Sequence, residues 1–140
     1  MQLSLEIETI PVGTYAIGSD LVALMSFAVA RDFGAQHPLI ALAERLAGPL
    51  GIRLNPLTTF YERKPEDDID KKNLDLAWQD PGKLEVTLLG LEKALREDDK
   101  IKMFARRGEV GNLENEIAKV LPLLADAARD GCRVRLLYDL

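Results

Sequence analysis

The sequence is poor in the residues that build metal sites and disulfides. Its 140 residues include one cysteine, Cys132, and one histidine, His37. A single cysteine cannot form a disulfide within the chain, and a zinc site needs several ligands at characteristic spacing, such as HExxH, which is absent. We therefore expect a reducing, cytoplasmic setting with no metal and no cofactor.

Long apolar runs and common catalytic motifs are also missing. The longest apolar stretch, residues 21–30, is far shorter than the roughly 20 residues of a membrane-spanning helix. The segment GTYAIGS at 13–19 has the glycine spacing of a phosphate-binding loop but lacks the lysine that contacts the phosphates. No serine lies in a GxSxG elbow. The sequence thus predicts no membrane contact and no ordinary serine-hydrolase chemistry.

Charge is abundant but unevenly distributed. The chain has 23 acidic and 18 basic residues, and this net charge of -5 disfavours general nucleic-acid binding. Residues 1–60 hold eight of the charged side chains and residues 61–140 hold the other 33. The first part is therefore expected to supply much of the core, and the second most of the solvated surface. The length is typical of one domain, so we expect 1–140 to form a single domain.

Both ends of the chain alternate between apolar and polar residues, as half-buried strands do. Residues 2–8 place Leu3, Leu5 and Ile7 on one face, and residues 132–138 alternate in the same way. If the two strands are neighbours, Glu6 and Glu8 face Arg133 and Arg135 across the ladder. We therefore predict one sheet that contains both terminal strands.

Cap and stop residues predict the helices between these strands. Four are expected: from Ser19 or Asp20 to Arg31 before Gly34, from Pro38 to Gly48, from Asp80 and Pro81 through Leu95, and from Asn112 to Gly131. Pro122 should kink or split the last one. Residues 52–62 favour one or two short strands. The predicted fold class is α+β, with the N- and C-terminal strands in one sheet packed against about four helices.

The most informative polar stretch is residues 62–75, which we interpret as an acidic loop because Pro65 discourages regular structure. A calcium loop starting at Glu66 fails, since Lys71 stands at the turn glycine and Ala77 at the closing glutamate. Aromatic residues flank the acids, which is typical of an interface. The candidate binding residues are Tyr61, Glu66, Asp67, Asp68, Asp70 and Trp78.

No catalytic constellation is visible, so the leading hypothesis is a non-enzymatic binding module. It would be an inhibitor, immunity-type or adaptor protein that uses the acidic loop against a basic protein partner. One alternative is a small-molecule pocket in which Ser19, Arg106 and Arg107 bind an anionic group. A second alternative is a hydrolase or transferase that uses Asp67, Asp70 and a divalent ion. Solvated surface is the plain interpretation of the same charges, and the oligomeric state stays open.

Overall fold

A four-stranded mixed sheet and seven helices make up residues 2–30 and 36–140, the parts of the chain that the computed structural model describes. The strands are β1 (Gln2–Ile7), β2 (Gly13–Ala16), β3 (Phe60–Glu62) and β4 (Val134–Asp139). The helices are α1 (Ser19–Ala30), α2 (Pro38–Ala47), α3 (Asn55–Thr58), α4 (Asp68–Leu76), α5 (Pro81–Glu97), α6 (Asp99–Arg107) and α7 (Leu113–Arg129). This arrangement confirms the α+β class, with more helices than the four predicted. None of the described helices is long and apolar enough to cross a membrane.

The two terminal strands lie side by side at the centre of the sheet, as predicted. The strand order is β2-β1-β4-β3, with β1 antiparallel to both of its neighbours and β3 parallel to β4. Glu6 lies opposite Arg135 in the register. Glu6 and Arg135 form an ion pair at 2.9 Å, and Glu8 and Arg133 form one at 2.6 Å. The expected pairing of charges across the ladder is therefore confirmed.

The main core lies between one face of the sheet and the helices. Leu3, Leu5 and Ile7 of β1 are buried there, as their alternation predicts. Helix α5 contributes its leucine stripe, which includes Leu84 and Leu88, to the same cluster. Gly90 on α5 has a packing role, because a Cβ there would lie 3.0 Å from Cδ1 of Ile52. The apolar residues that recur with the helical period of 3.6 or the strand period of 2.0 are thus the ones that build the core.

Several predicted helix ends are found. Asp80 accepts a hydrogen bond from the amide of Gly82 at 2.9 Å and begins α5, and α2 begins after His37 and ends at Gly48. Gly34, the expected end of α1, lies outside the described residues. Helix α7 is not split at Pro122. Proline removes a single backbone hydrogen bond, and the buried residues on either side of Pro122 keep both halves packed on the core.

Three segments expected to be irregular or extended are helical. Pro56 lies in the short α3, in a segment expected to be strand-like, because proline fits the first turn of a helix. Helix α4 occupies the acidic loop. Helix α6 occupies residues 99–107, where clustered Lys and Arg residues are typical of a helix end followed by a connector. Asp67 and Asp98 cap these two helices, and acidic residues in their first turns complement the helix dipole.

Candidate functional site

Two acids of the predicted binding loop fix the start of α4. Asp67 accepts a hydrogen bond from the amide of Asp70 at 2.8 Å, and the Asp70 carboxylate accepts one from the amide of Glu66 at 3.0 Å. This reciprocal arrangement satisfies backbone donors that the first helical turn leaves free. Asp68 is almost fully exposed, 4.0 Å from Lys71. The acidic segment therefore builds a helix and keeps further charge on its surface.

Helix α4 exposes two of its three apolar residues, and the third, Leu74, is half-buried. None of its side chains is buried, and Ile69 and Leu76 are 69% and 77% exposed. The two residues are seven positions apart and so lie on one side of the helix. Asp68, Lys72 and Asp75 are exposed around them. We call these five residues the α4 surface.

An ionic cluster built around the buried Glu6 carboxylate lies on the face of the sheet opposite the main core. Glu6, only 5% exposed, accepts hydrogen bonds from both Arg135, at 2.9 Å, and Arg63. Arg63 also donates to Asp139 at 3.1 Å. Two guanidinium groups and two carboxylates thus balance one another, which offsets the free energy of burying a charge. We call these four residues the Glu6 cluster.

Of the two aromatic residues of the predicted interface, Trp78 contacts this cluster directly. The guanidinium carbon of Arg135 lies 4.2 Å from the centre of the Trp78 ring, within the range of a cation-π contact. Arg135 also donates to the carbonyl of Leu74 in α4 at 2.9 Å. Tyr61 pairs with Leu137 in the sheet and, like Trp78, is half-buried. Trp78 is therefore connected to α4 through Arg135, and Tyr61 lies on β3, a strand that α4 contacts.

The alternative anion site is already occupied by a side chain of the protein. At the start of α1, the amides of Leu21 and Asp20 donate to the carboxylate of Glu116 at 2.8 and 3.3 Å. Glu116 is only 6% exposed. Gly18 permits this approach, because a Cβ there would overlap the Glu116 carboxylate. The backbone donors beside Ser19 thus bind an internal carboxylate.

The other two residues of that alternative face different clefts of α6. Arg107 lines a cleft of about 390 Å³ together with His37 and Glu44. Arg106 lines a separate cleft of about 520 Å³ together with Glu114. Ser19 lines neither cleft, so the structure does not bring Ser19, Arg106 and Arg107 together.

The metal-dependent alternative depends on carboxylates that are turned toward the backbone. Asp67 and Asp70 each accept an amide hydrogen bond at the start of α4. Within residues 2–30 and 36–140, no group of three or more His, Cys, Asp or Glu side chains is arranged to hold a metal ion. The arrangement of these acids is that of a helix cap.

Comparisons with known protein families, with curated proteins and with solved structures find no match to this chain. The geometry of the site is therefore the basis for a functional proposal. It also identifies two residues that the sequence analysis missed, Ile69 and Leu76. Their spacing of seven was a usable signal, but it has meaning only once the segment is taken as a helix.

Proposed function

We propose that the protein is a non-enzymatic binding module, of the inhibitor, immunity or adaptor type, that docks a basic protein partner on the α4 surface. The observation that carries this proposal is the exposure of Ile69 and Leu76 on a helix with no buried side chain. Apolar residues grouped on a surface and surrounded by charges are typical of interaction sites.

The charge of the segment defines the kind of partner. Residues 62–75 contain six acidic and four basic side chains, so the segment is net acidic like the chain as a whole. The two apolar side chains supply contact area, and the acids attract and orient positive charge around it. A basic amphipathic helix, with apolar residues on one side and Lys or Arg flanking them, complements both features.

In this proposal the aromatic residues help to hold α4 in place and are not part of the contact with the partner. The contact of Trp78 with Arg135, and the hydrogen bond from Arg135 to Leu74, hold α4 against the sheet. A helix fixed before binding loses little conformational entropy when a partner docks. The proposal thus gives Tyr61 and Trp78 a positioning role, and it gives Ile69, Leu76 and the surrounding charges the contact. We place the module in the cytoplasm, where Cys132 stays a free thiol.

The test replaces both exposed apolar residues of α4, as Ile69→Ser with Leu76→Ser. Tagged wild-type and variant proteins are used to capture partners from cells of the source organism, and captured proteins are quantified by mass spectrometry. We expect a basic protein to be captured by the wild type and reduced at least about tenfold with the variant, a loss of about 1.4 kcal/mol in binding free energy. The thermal stability of the variant should stay unchanged, since both side chains are exposed.

The matched control carries Val86→Ser with Leu89→Ser, two apolar residues that are also exposed but lie on α5. This control should retain the same basic partner, and the purified pair should lose affinity as salt is added. Equal capture by the α4 variant and the wild type, or selective loss of an acidic protein alone, would refute the proposal.

A further inference from the structure

The outer edge of β2 is an open strand edge without protecting charges. Strand β2 lies at the end of the sheet and, among the described residues, forms a ladder with β1 alone. Residues 9–19, which include β2, contain no charged side chain, although 29% of the chain is charged. Natural sheets usually place charges, proline or bulges on such edges, because free backbone groups there pair with other chains. The nearest proline, Pro11, precedes the paired residues of β2, which begin at Gly13. The β2 edge is therefore suited to receive another strand.

The register of β2 identifies the backbone groups that face outward. The amide of Ile17 donates to the carbonyl of Leu3 at 2.9 Å, so this residue pair is a hydrogen-bonded pair of the antiparallel ladder. Because such pairs alternate along the ladder, Tyr15 also directs its backbone groups toward β1. Thr14 and Ala16 then direct theirs away from the sheet, into the position that a new strand would occupy.

We propose that two copies of this chain pair through β2, antiparallel and related by a two-fold axis at Tyr15. Thr14 of each copy then lies opposite Ala16 of the other, and both residues exchange their outward N–H and C=O hydrogen bonds. Tyr15 faces Tyr15 of the second copy, so the two sheets join into one continuous sheet. Every outward backbone group of Thr14 and Ala16 is satisfied in this register.

The absence of charge is what favours a second copy over an unrelated charged partner. A two-fold axis brings identical side chains together, so a charge at the centre of the edge would face the same charge on the second copy and be repelled by it. A charged partner, in contrast, would find nothing to complement in residues 9–19.

Apolar contacts extend the interface beyond this short strand. Ile10, Val12 and Tyr15 are among the large apolar residues that the chain exposes. Tyr15 also borders a cleft of about 470 Å³ between β2 and α7, which Val120 and Leu123 line together with one charged residue, Lys119. Contact between the two Tyr15 rings stabilises the dimer in addition to the backbone hydrogen bonds.

A charge-swap experiment tests the two-fold axis at Tyr15. Wild-type protein, Tyr15→Lys and Tyr15→Glu are each examined by sedimentation velocity over a range of concentrations. We expect a dimer for the wild type and monomers for both variants, because like charges then face each other. An equimolar mixture of the two variants should form a dimer again, since the opposite charges become partners. Circular dichroism and thermal melting of each variant confirm that it is folded.

Val86→Lys serves as the control, since it places a new charge on an exposed position of α5 and should leave the dimer intact. Added salt, which weakens docking of a basic partner at the α4 surface, should not dissociate the wild-type dimer. A wild-type protein that stays monomeric up to about 1 mM, the range of weak association, overturns the proposal. So does a dimer that Tyr15→Lys leaves unchanged, or a folded pair of variants that stays monomeric when mixed.

Discussion

Two glutamates are buried in the described part of the molecule, and they are stabilised in opposite ways. Glu6, in the centre of the sheet, accepts hydrogen bonds from the guanidinium groups of Arg63 and Arg135. Glu116, on α7, meets no cation in its described contacts and accepts hydrogen bonds from the amides of Asp20 and Leu21 and the side chain of Asn112. One carboxylate is matched by full charges, the other by the dipoles at a helix N-terminus.

Because the partners differ, replacing Glu6 or Glu116 leaves different groups without a hydrogen-bond acceptor. Loss of Glu6 leaves the Arg135 guanidinium without its carboxylate partner, while Arg63 keeps Asp139. An unpaired charge that is largely buried is strongly destabilising. Loss of Glu116 leaves neutral amides unpaired, and neutral donors lose less hydration free energy on burial than ions do. Replacing Glu116, which is bound by backbone amides, should therefore lower the free energy of unfolding less than replacing Glu6.

The sharpest test replaces each glutamate by its neutral isostere. We expect Glu6→Gln to lower the free energy of unfolding by about 3 kcal/mol, because it neutralises a buried carboxylate that Arg63 and Arg135 share. Glu116→Gln should lower it by about 1 kcal/mol, since the amide oxygen of glutamine still accepts a hydrogen bond at the start of α1. Urea denaturation at neutral pH measures both values.

Glu8→Gln is the control for the first substitution, since the Glu8–Arg133 pair is another cross-strand pair but is more exposed. Its effect should be clearly smaller than that of Glu6→Gln, because surface ion pairs contribute little to stability. Equal losses for Glu6→Gln and Glu116→Gln would contradict the distinction between compensation by charges and compensation by dipoles.

The Glu116 site can also be broken from the other side, at Gly18. A Cβ at this position overlaps the Glu116 carboxylate, so we expect Gly18→Ala to lower the free energy of unfolding by about 2 kcal/mol. In a Glu116→Ala background the same substitution should have a smaller effect, because the overlapping group is gone.

Gly111→Ala is the matched control for this prediction, because nothing lies within 4 Å of a Cβ built there. Its effect on stability should be slight. Strictly additive effects of Gly18→Ala and Glu116→Ala would show that close packing between these two residues is not the cause of the loss.

The terminal strands and the start of α5 were predictable because a short sequence pattern defines each of them. Alternation in residues 2–8 and 132–138 identified two strands with one apolar face each. Their charges indicated that Glu6 and Glu8 face Arg133 and Arg135, and the register of the sheet then pairs Glu6 with Arg135. The start of α5 was equally legible, because Asp80 and Pro81 are a cap and a first-turn residue within one segment. In these cases the information lies within a few residues of the element that it defines.

Helix α4 was missed because its cap was interpreted as surface charge. Pro65 suggested a break, but the helix begins after it, where Asp67 and Asp70 cap the first turn. The role of Glu116 was out of reach of any local pattern. It binds an amide 95 residues away in the sequence, at a helix start that the sequence analysis considered for an external anion. Ile69 and Leu76 were missed for the same reason as α4, since their shared face becomes visible only once the helix is known.

Asp98 is stabilised both by a cation and by helix amides, and its side chain is 16% exposed. It accepts hydrogen bonds from Arg45 at 2.9 and 2.8 Å and caps α6 by accepting one from the amide of Ile101 at 2.9 Å. The Arg45 guanidinium, and then the amide of Ile101, hold the pKa of Asp98 well below its usual range. The folded state therefore favours the ionised carboxylate relative to the unfolded state.

Asp98→Asn separates the two contributions, because asparagine caps a helix as well as aspartate does but cannot form the ion pair. We expect a smaller stability loss here than for Glu6→Gln, Gly18→Ala or Glu116→Gln, because asparagine keeps the helix cap and the freed Arg45 side chain is 24% exposed to water. The pKa is lowered by folding, so the advantage of the wild type over Asp98→Asn should be complete at neutral pH. It should shrink as the pH falls below about 4, where the unfolded carboxylate becomes protonated. Thermal melting of both proteins between neutral pH and about pH 2.5, a range that spans the unfolded pKa, measures this. A difference in melting temperature that stays constant over that range would show that the ion pair with Arg45 contributes nothing.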